Sequence, residues 1–184
     1  PALRVPILGT LFLAPTSLSV APRQSSTFTA AYPPPLRSSF TWTLPTNGSG
    51  GTVSSTGVYT AGTTPSTTDV VRAADAYGAF ATATVTVGPG VSVSPSSATL
   101  APGDLRVFTA SGGGGTYAWT LSPNASGGSI DSSGRYQAGR TGTTDDTVRA
   151  TDAYGNVGTA SVHVTAGLQI APAAPTPAPR GAVA

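Results

Sequence analysis

The chain has no cysteine, no methionine, no lysine and no glutamate, and it has a single histidine, His163. Without cysteine there is no disulfide staple and no thiolate for a metal. That absence is compatible with export. Lacking methionine, the sequence is expected to be processed at its N-terminus or to be a piece of something longer. Lys, Glu and Met are among the best helix formers, and their loss leaves a chain rich in Thr, Val, Ser and Gly, which favours strands joined by turns. Only 9% of residues are charged, against roughly a quarter in ordinary domains. The net charge is +2 and no two arginines are adjacent. Such sparse, dispersed charge argues against nucleic acid as a partner. No apolar run reaches the length of a membrane span; the stretch 7–14 is short and interrupted by Gly9.

What is present is written twice. Residues 41–87 recur with an offset of about 77, the mark of a repeat architecture. Trp42 matches Trp119, Tyr59 matches Tyr136, and DAYG at 75–78 matches DAYG at 152–155. Each copy carries short alternating runs punctuated by turn signals about every 8–12 residues, so about seven strands are expected per copy. Phe28, Ala30, Phe108 and Ala110 should point inward. The DAYG tetrapeptide reads as a tight hairpin turn, its Asp accepting from nearby backbone and its Gly free to take positive φ.

The division expected is a terminal strand at 1–10, either the last of a preceding repeat or a free strand, one domain at 11–88, a second at 91–166, and at 167–184 the start of a further strand followed by a Pro/Ala-rich linker. The linker GPG at 88–90 leaves little slack, so the domains should sit end to end with limited bending. PPP at 33–35 and GGGG at 112–115 solve the same connection differently, one stiffly and one loosely.

The order of a Trp strand, a GG turn, S-S/T-G-x-Y and then DAYG with alternating Thr and Val resembles the bacterial immunoglobulin-like domains of cell-surface proteins. GTVSSTGVYTAG and AADAYGAFATATVTV carry that likeness, which spans nearly the whole chain. It implies an all-β fold of two tandem Ig-like β-sandwiches. It also implies an exported, non-enzymatic stalk, adhesin segment or fibre subunit, located outside a bacterial cell. The alternative it leaves is a carbohydrate-binding or spacer domain of a secreted enzyme.

Candidate sites are few, and none is assigned as catalytic, cofactor-binding or metal-binding. His163 alternates with Val162 and Val164 and should face solvent; no nucleophile motif accompanies it. Asp131, Asp145, Asp146 and Asp152 cluster in the second copy. However, they lack EF-hand spacing, and Asp146 and Asp69 read as strand starts. Calcium at the junction is the minor alternative. Trp42 and Trp119 read as core pins, and Tyr77 and Tyr154 as hairpin tips, which suit stacking on a sugar ring only if exposed. Asn47 and Asn124 head acceptor-like sequons that are also ordinary polar turns. The Ser/Thr stretch 63–68 offers O-linked acceptors on no stronger warrant. The expected partners are other protein subunits or cell-surface components, reached by strand addition through residues 3–8 or 168–171. Polysaccharide is the other partner weighed.

Overall fold

The computed structural model describes residues 9–33 and 39–168. The proposed terminal strand at 3–8 lies outside them, as do residues 169–171. Among the described residues there is no helix, and eighteen strands fall into two sets of nine.

In the first set, β2 (Ser17–Val20), β9 (Phe80–Val87), β8 (Thr67–Ala74) and β5 (Thr41–Asn47) form a four-stranded sheet in the order β2-β9-β8-β5. Facing it are β1 (Phe12–Ala14) paired with β4 (Thr29–Ala31), and the sheet β3 (Ser25–Thr27), β7 (Val58–Thr60), β6 (Thr52–Val53). Only Phe28 separates β3 from β4, and its amide still donates to the Gly57 carbonyl at 2.8 Å, so the two small sheets make one layer. The second set repeats this with β11 (Ser97–Leu100), β18 (Val157–Val164), β17 (Thr144–Asp152) and β14 (Tyr117–Asn124) as its four-stranded sheet. Opposite lie β10 (Ser92–Ser94) with β13 (Thr109–Ser111), and β12 (Leu105–Val107), β16 (Arg135–Gln137), β15 (Ser129–Ile130). This is an immunoglobulin-like sandwich, made twice.

The count of nine segments arises because two strands in each set are interrupted; joined, they are the seven that the turn spacing implies. Pro15 and Pro95 cannot donate to a ladder. The first strand therefore leaves its antiparallel partner there, crosses to the other layer, and runs parallel to the last strand, Ser17 beside Thr84 and Ser97 beside Ser161. This parallel pairing is not visible in the alternation of residues.

Alternation sets the core. Along β9 the residues Ala83, Val85 and Val87 are buried while Thr82, Thr84 and Thr86 face solvent. Each buried Val contributes about 1.5–3 kcal/mol by leaving water. Phe28 and Phe108 are buried, with Ala30 and Ala110 packed against the same clusters. The tryptophans occupy a different place from the one expected. Trp42 and Trp119 are only partly buried, at the rim, lying over Gly57 and Gly134. The centre between the sheets belongs to Tyr59 and Tyr136, both fully buried, each in an edge-on contact with Phe28 or Phe108 at 6.3 and 6.2 Å. A tyrosine serves there because its hydroxyl reaches a partner that an indole at the rim does not.

The edge strands β5 and β14 contain Pro45 and Pro123, next to register shifts at Thr43/Thr46 and Leu121/Asn124. Proline and a bulge on an edge strand blunt it against pairing with another chain.

Candidate functional site

The polar residues that recur in both copies converge on two places per sandwich. The first is a buried carboxylate. In the first copy β5 ends in the turn Asn47-Gly48-Ser49. The Asn47 side chain closes that turn by accepting from the Gly51 amide at 2.7 Å and donating to the Gly51 carbonyl at 2.9 Å. This aims Ser49 inward, where its amide donates to Asp69 Oδ1 at 2.8 Å and its hydroxyl to Asp69 Oδ2 at 2.5 Å. Tyr59 donates its hydroxyl to the same Oδ2 at 2.5 Å, and the Gly62 amide donates to Ser49 Oγ at 2.9 Å. Asp69 has no solvent exposure.

The second copy repeats the arrangement. Ser126 donates twice to Asp146, at 2.8 and 2.5 Å, Tyr136 donates at 2.6 Å, and the Gly139 amide reaches Ser126 Oγ at 3.0 Å. A Cβ at Gly62 or Gly139 would lie 1.9 or 1.8 Å from the carbonyl of Ser49 or Ser126, so only glycine fits. Three sequence features are thus one object: the N-x-S turn, the Y-x-A-G strand end and the Asp that opens the penultimate strand.

Burial pushes the Asp69 and Asp146 carboxyls up. The hydroxyls of Ser49 and Tyr59, or Ser126 and Tyr136, with the turn amides, outweigh it and hold both below the ordinary value. Burial, then the bond to Asp146, pushes Tyr136 up to about 12; Tyr59 moves up for the same reasons. Asp69 and Asp146 are therefore not mere strand starts. The clue in the sequence is that Asn, Ser, Tyr, Gly and Asp all recur at one offset. The sequons acquire an architectural meaning: their serines are buried and bonded, and their asparagines are engaged in closing a loop.

The second place is the DAYG hairpin. Asp75 Oδ1 accepts from the amides of Tyr77 and Ala79, and Gly78 has φ of 90°. Tyr32 donates to Asp75 Oδ2 at 2.6 Å, which with the turn amides lowers the Asp75 pKa. Asp152 has no such tyrosine. Its Oδ2 accepts from the Gly114 amide and the Asn156 side chain, both at 2.8 Å.

The remaining candidates stay apart. Asp131 caps its own turn through Ser133 and Arg135. Asp145 meets His163 at 2.7 Å in a solvent-exposed pair, where such contacts contribute at most about 1 kcal/mol. Among the described residues, no three His, Cys, Asp or Glu side chains form a metal-holding group. Tyr77 is 87% exposed and Tyr154 38%. No helix among the described residues is long and apolar enough to cross a membrane.

No protein-family model matches the chain, and no curated protein does. Solved structures similar to it include the C-terminal 282-residue fragment of intimin in complex with the intimin-binding domain of the translocated intimin receptor. The match has 20% identity over 86% of this chain and 64% of that one, with a TM-score of 0.45. Cadherin domains 3–6 of protocadherin gamma B2 match at 18% identity over 87% of this chain and 52% of that one, with a TM-score of 0.36. The human desmocollin-1 ectodomain matches at 11% identity over 86% and 42%, again at 0.36. The chain spans less than two thirds of each of them. Its immunoglobulin-like character is defined by the strand pairing described above.

Proposed function

We propose that this chain is a non-enzymatic structural or adhesive module of an exported bacterial surface protein. In this reading residues 11–88 and 91–166 are two domains in series, and their task is to give length and presentation, not chemistry. One observation carries it: the Asp and Asn residues common to both copies are spent on holding loops and cores in place. Asp69 and Asp146 bind turn donors, Asn47 and Asn124 close loops, and Asp75 and Asp152 organise hairpins. Such a module meets other protein subunits or cell-surface components by strand addition. Pro45 and Pro123 make the edges β5 and β14 poor templates for strand addition. Strand addition is assigned instead to residues 3–8 or 168–171, where Leu168 is 92% exposed.

An antibody against the chain tests the assignment. It should label intact, unpermeabilised cells that make the parent protein; labelling only after permeabilisation would refute a surface role. The second reading, a sugar-binding accessory domain, is favoured by the exposure of Tyr77. Retention on a polysaccharide column that Tyr77→Ala abolishes would establish it in place of the first.

A further inference from the structure

The same DAYG hairpin stands in two different settings. In the first copy its tip is open among the described residues, with Tyr77 87% exposed. In the second it is clamped, with Asp152 only 6% exposed and Tyr154 at 38%. What clamps it is the base of the first sandwich and the linker between the copies. Asn156 donates from Nδ2 to Asp152 Oδ2 at 2.8 Å and to the carbonyl of Pro22 at 2.9 Å, and Pro22 is itself buried. Gly113 donates its amide to the Pro89 carbonyl at 3.0 Å, and Tyr117 donates to Gly112 O at 2.6 Å.

The glycine run that reads as a loose loop is therefore packed. A Cβ at Gly112 would meet Gly90 O at 2.2 Å, one at Gly113 would meet Val91 Cγ2 at 2.7 Å, and one at Gly114 would meet the Tyr154 ring at 2.8 Å. Gly158 is under the same constraint, with Val91 O at 2.7 Å. The first copy differs in sequence at both of these places. It carries prolines where the second carries the glycine run, and Ala79, with no side-chain amide, at the position of Asn156.

We infer that the hairpin tip of the second sandwich is a built interaction surface whose partner is the base of the first. Asn156 latches onto the Pro22 carbonyl, and residues 112–114 let the linker lie flush, so that the two sandwiches move as one strut. The inference deepens the structural role proposed above and rests on it. The asymmetry is written in the sequence: the second copy carries Asn156 and the glycine run where the first carries Ala79 and prolines.

The test uses the whole chain, whose lack of cysteine allows clean labelling. Ser55 and Ser132, equivalent exposed turn residues, are changed to Cys, spin-labelled, and the distance distribution is measured by pulsed dipolar spectroscopy. A single narrow distance is expected. Asn156→Ala leaves the Gly114 amide on Asp152 Oδ2, so folding should survive, as a cooperative circular-dichroism melt with at most a small downward shift would show. It should raise the open, broadly distributed fraction about fivefold, the factor carried by one hydrogen bond of ordinary net worth. Asn156→Asp, which sets a second carboxylate beside Asp152, should raise it further, and Ala79→Asn should change nothing. A broad distribution in the unmodified chain, or one equally narrow in Asn156→Ala and Asn156→Asp, overturns the latch. The outcome is separable from the surface assignment, since cell labelling reports location and the distance distribution reports stiffness.

Discussion

Replacing Asp146 with alanine removes an acceptor and leaves three buried donors facing one another. The Ser126 amide, the Ser126 hydroxyl and the Tyr136 hydroxyl all point at the vacated site, and Ser126 is 2% and Tyr136 0% exposed. An orphaned buried donor costs about 1–3 kcal/mol, and breaking a buried charged network by removing one partner costs about 3–5 kcal/mol. The expected loss is therefore about 3–5 kcal/mol. A small domain holds about 5–15 kcal/mol in all, so the second sandwich should become marginal. Tyr136→Phe deletes one donor and orphans nothing but a lone pair, so it should cost only about 1.5–3 kcal/mol. The assay is urea unfolding followed by fluorescence. Each copy has one tryptophan, so a Trp42→Phe background lets Trp119 report on the second sandwich alone. In the double variant the two losses should be markedly non-additive, because both act on one network. A loss below about 1 kcal/mol for Asp146→Ala would refute the claim that this carboxylate organises the core.

Acid should act through the same groups. Asp69 and Asp146 are held below the ordinary carboxylate value in the folded chain, so their contribution is fully present above that ordinary value and is lost as pH falls through the lower, folded one. Thermal melts should be flat from neutrality to about pH 5 and fall steeply below the ordinary carboxylate range, and Asp69→Asn with Asp146→Asn should shrink that slope. Gly139→Ala drives a Cβ to within 1.8 Å of Ser126 O and should destabilise the second sandwich by more than about 2 kcal/mol by the urea assay. Tyr77→Ala removes a ring that is 87% exposed and should leave the melt within about 0.5 kcal/mol of the parent, so any effect on sugar retention could not be blamed on unfolding.

The repeat, the all-β class, the inward-facing Phe28 and Phe108, the outward-facing His163 and the DAYG turns are legible in one dimension, because they depend on neighbours in the chain. Alternation with period two decides which face of a strand is wet, and an Asp-x-x-Gly turn is closed by its own backbone. Three further features depend on contacts between residues far apart in the chain. Whether Trp or Tyr takes the centre of the core is settled by which side chain finds a partner for its polar end, and that partner is ten residues away on another strand. Asp69 looks like any polar strand start until Ser49 and Tyr59 are folded over it. The glycine run 112–114 looks loose in the sequence. It is tight because the linker and Tyr154 occupy the space where side chains would otherwise sit.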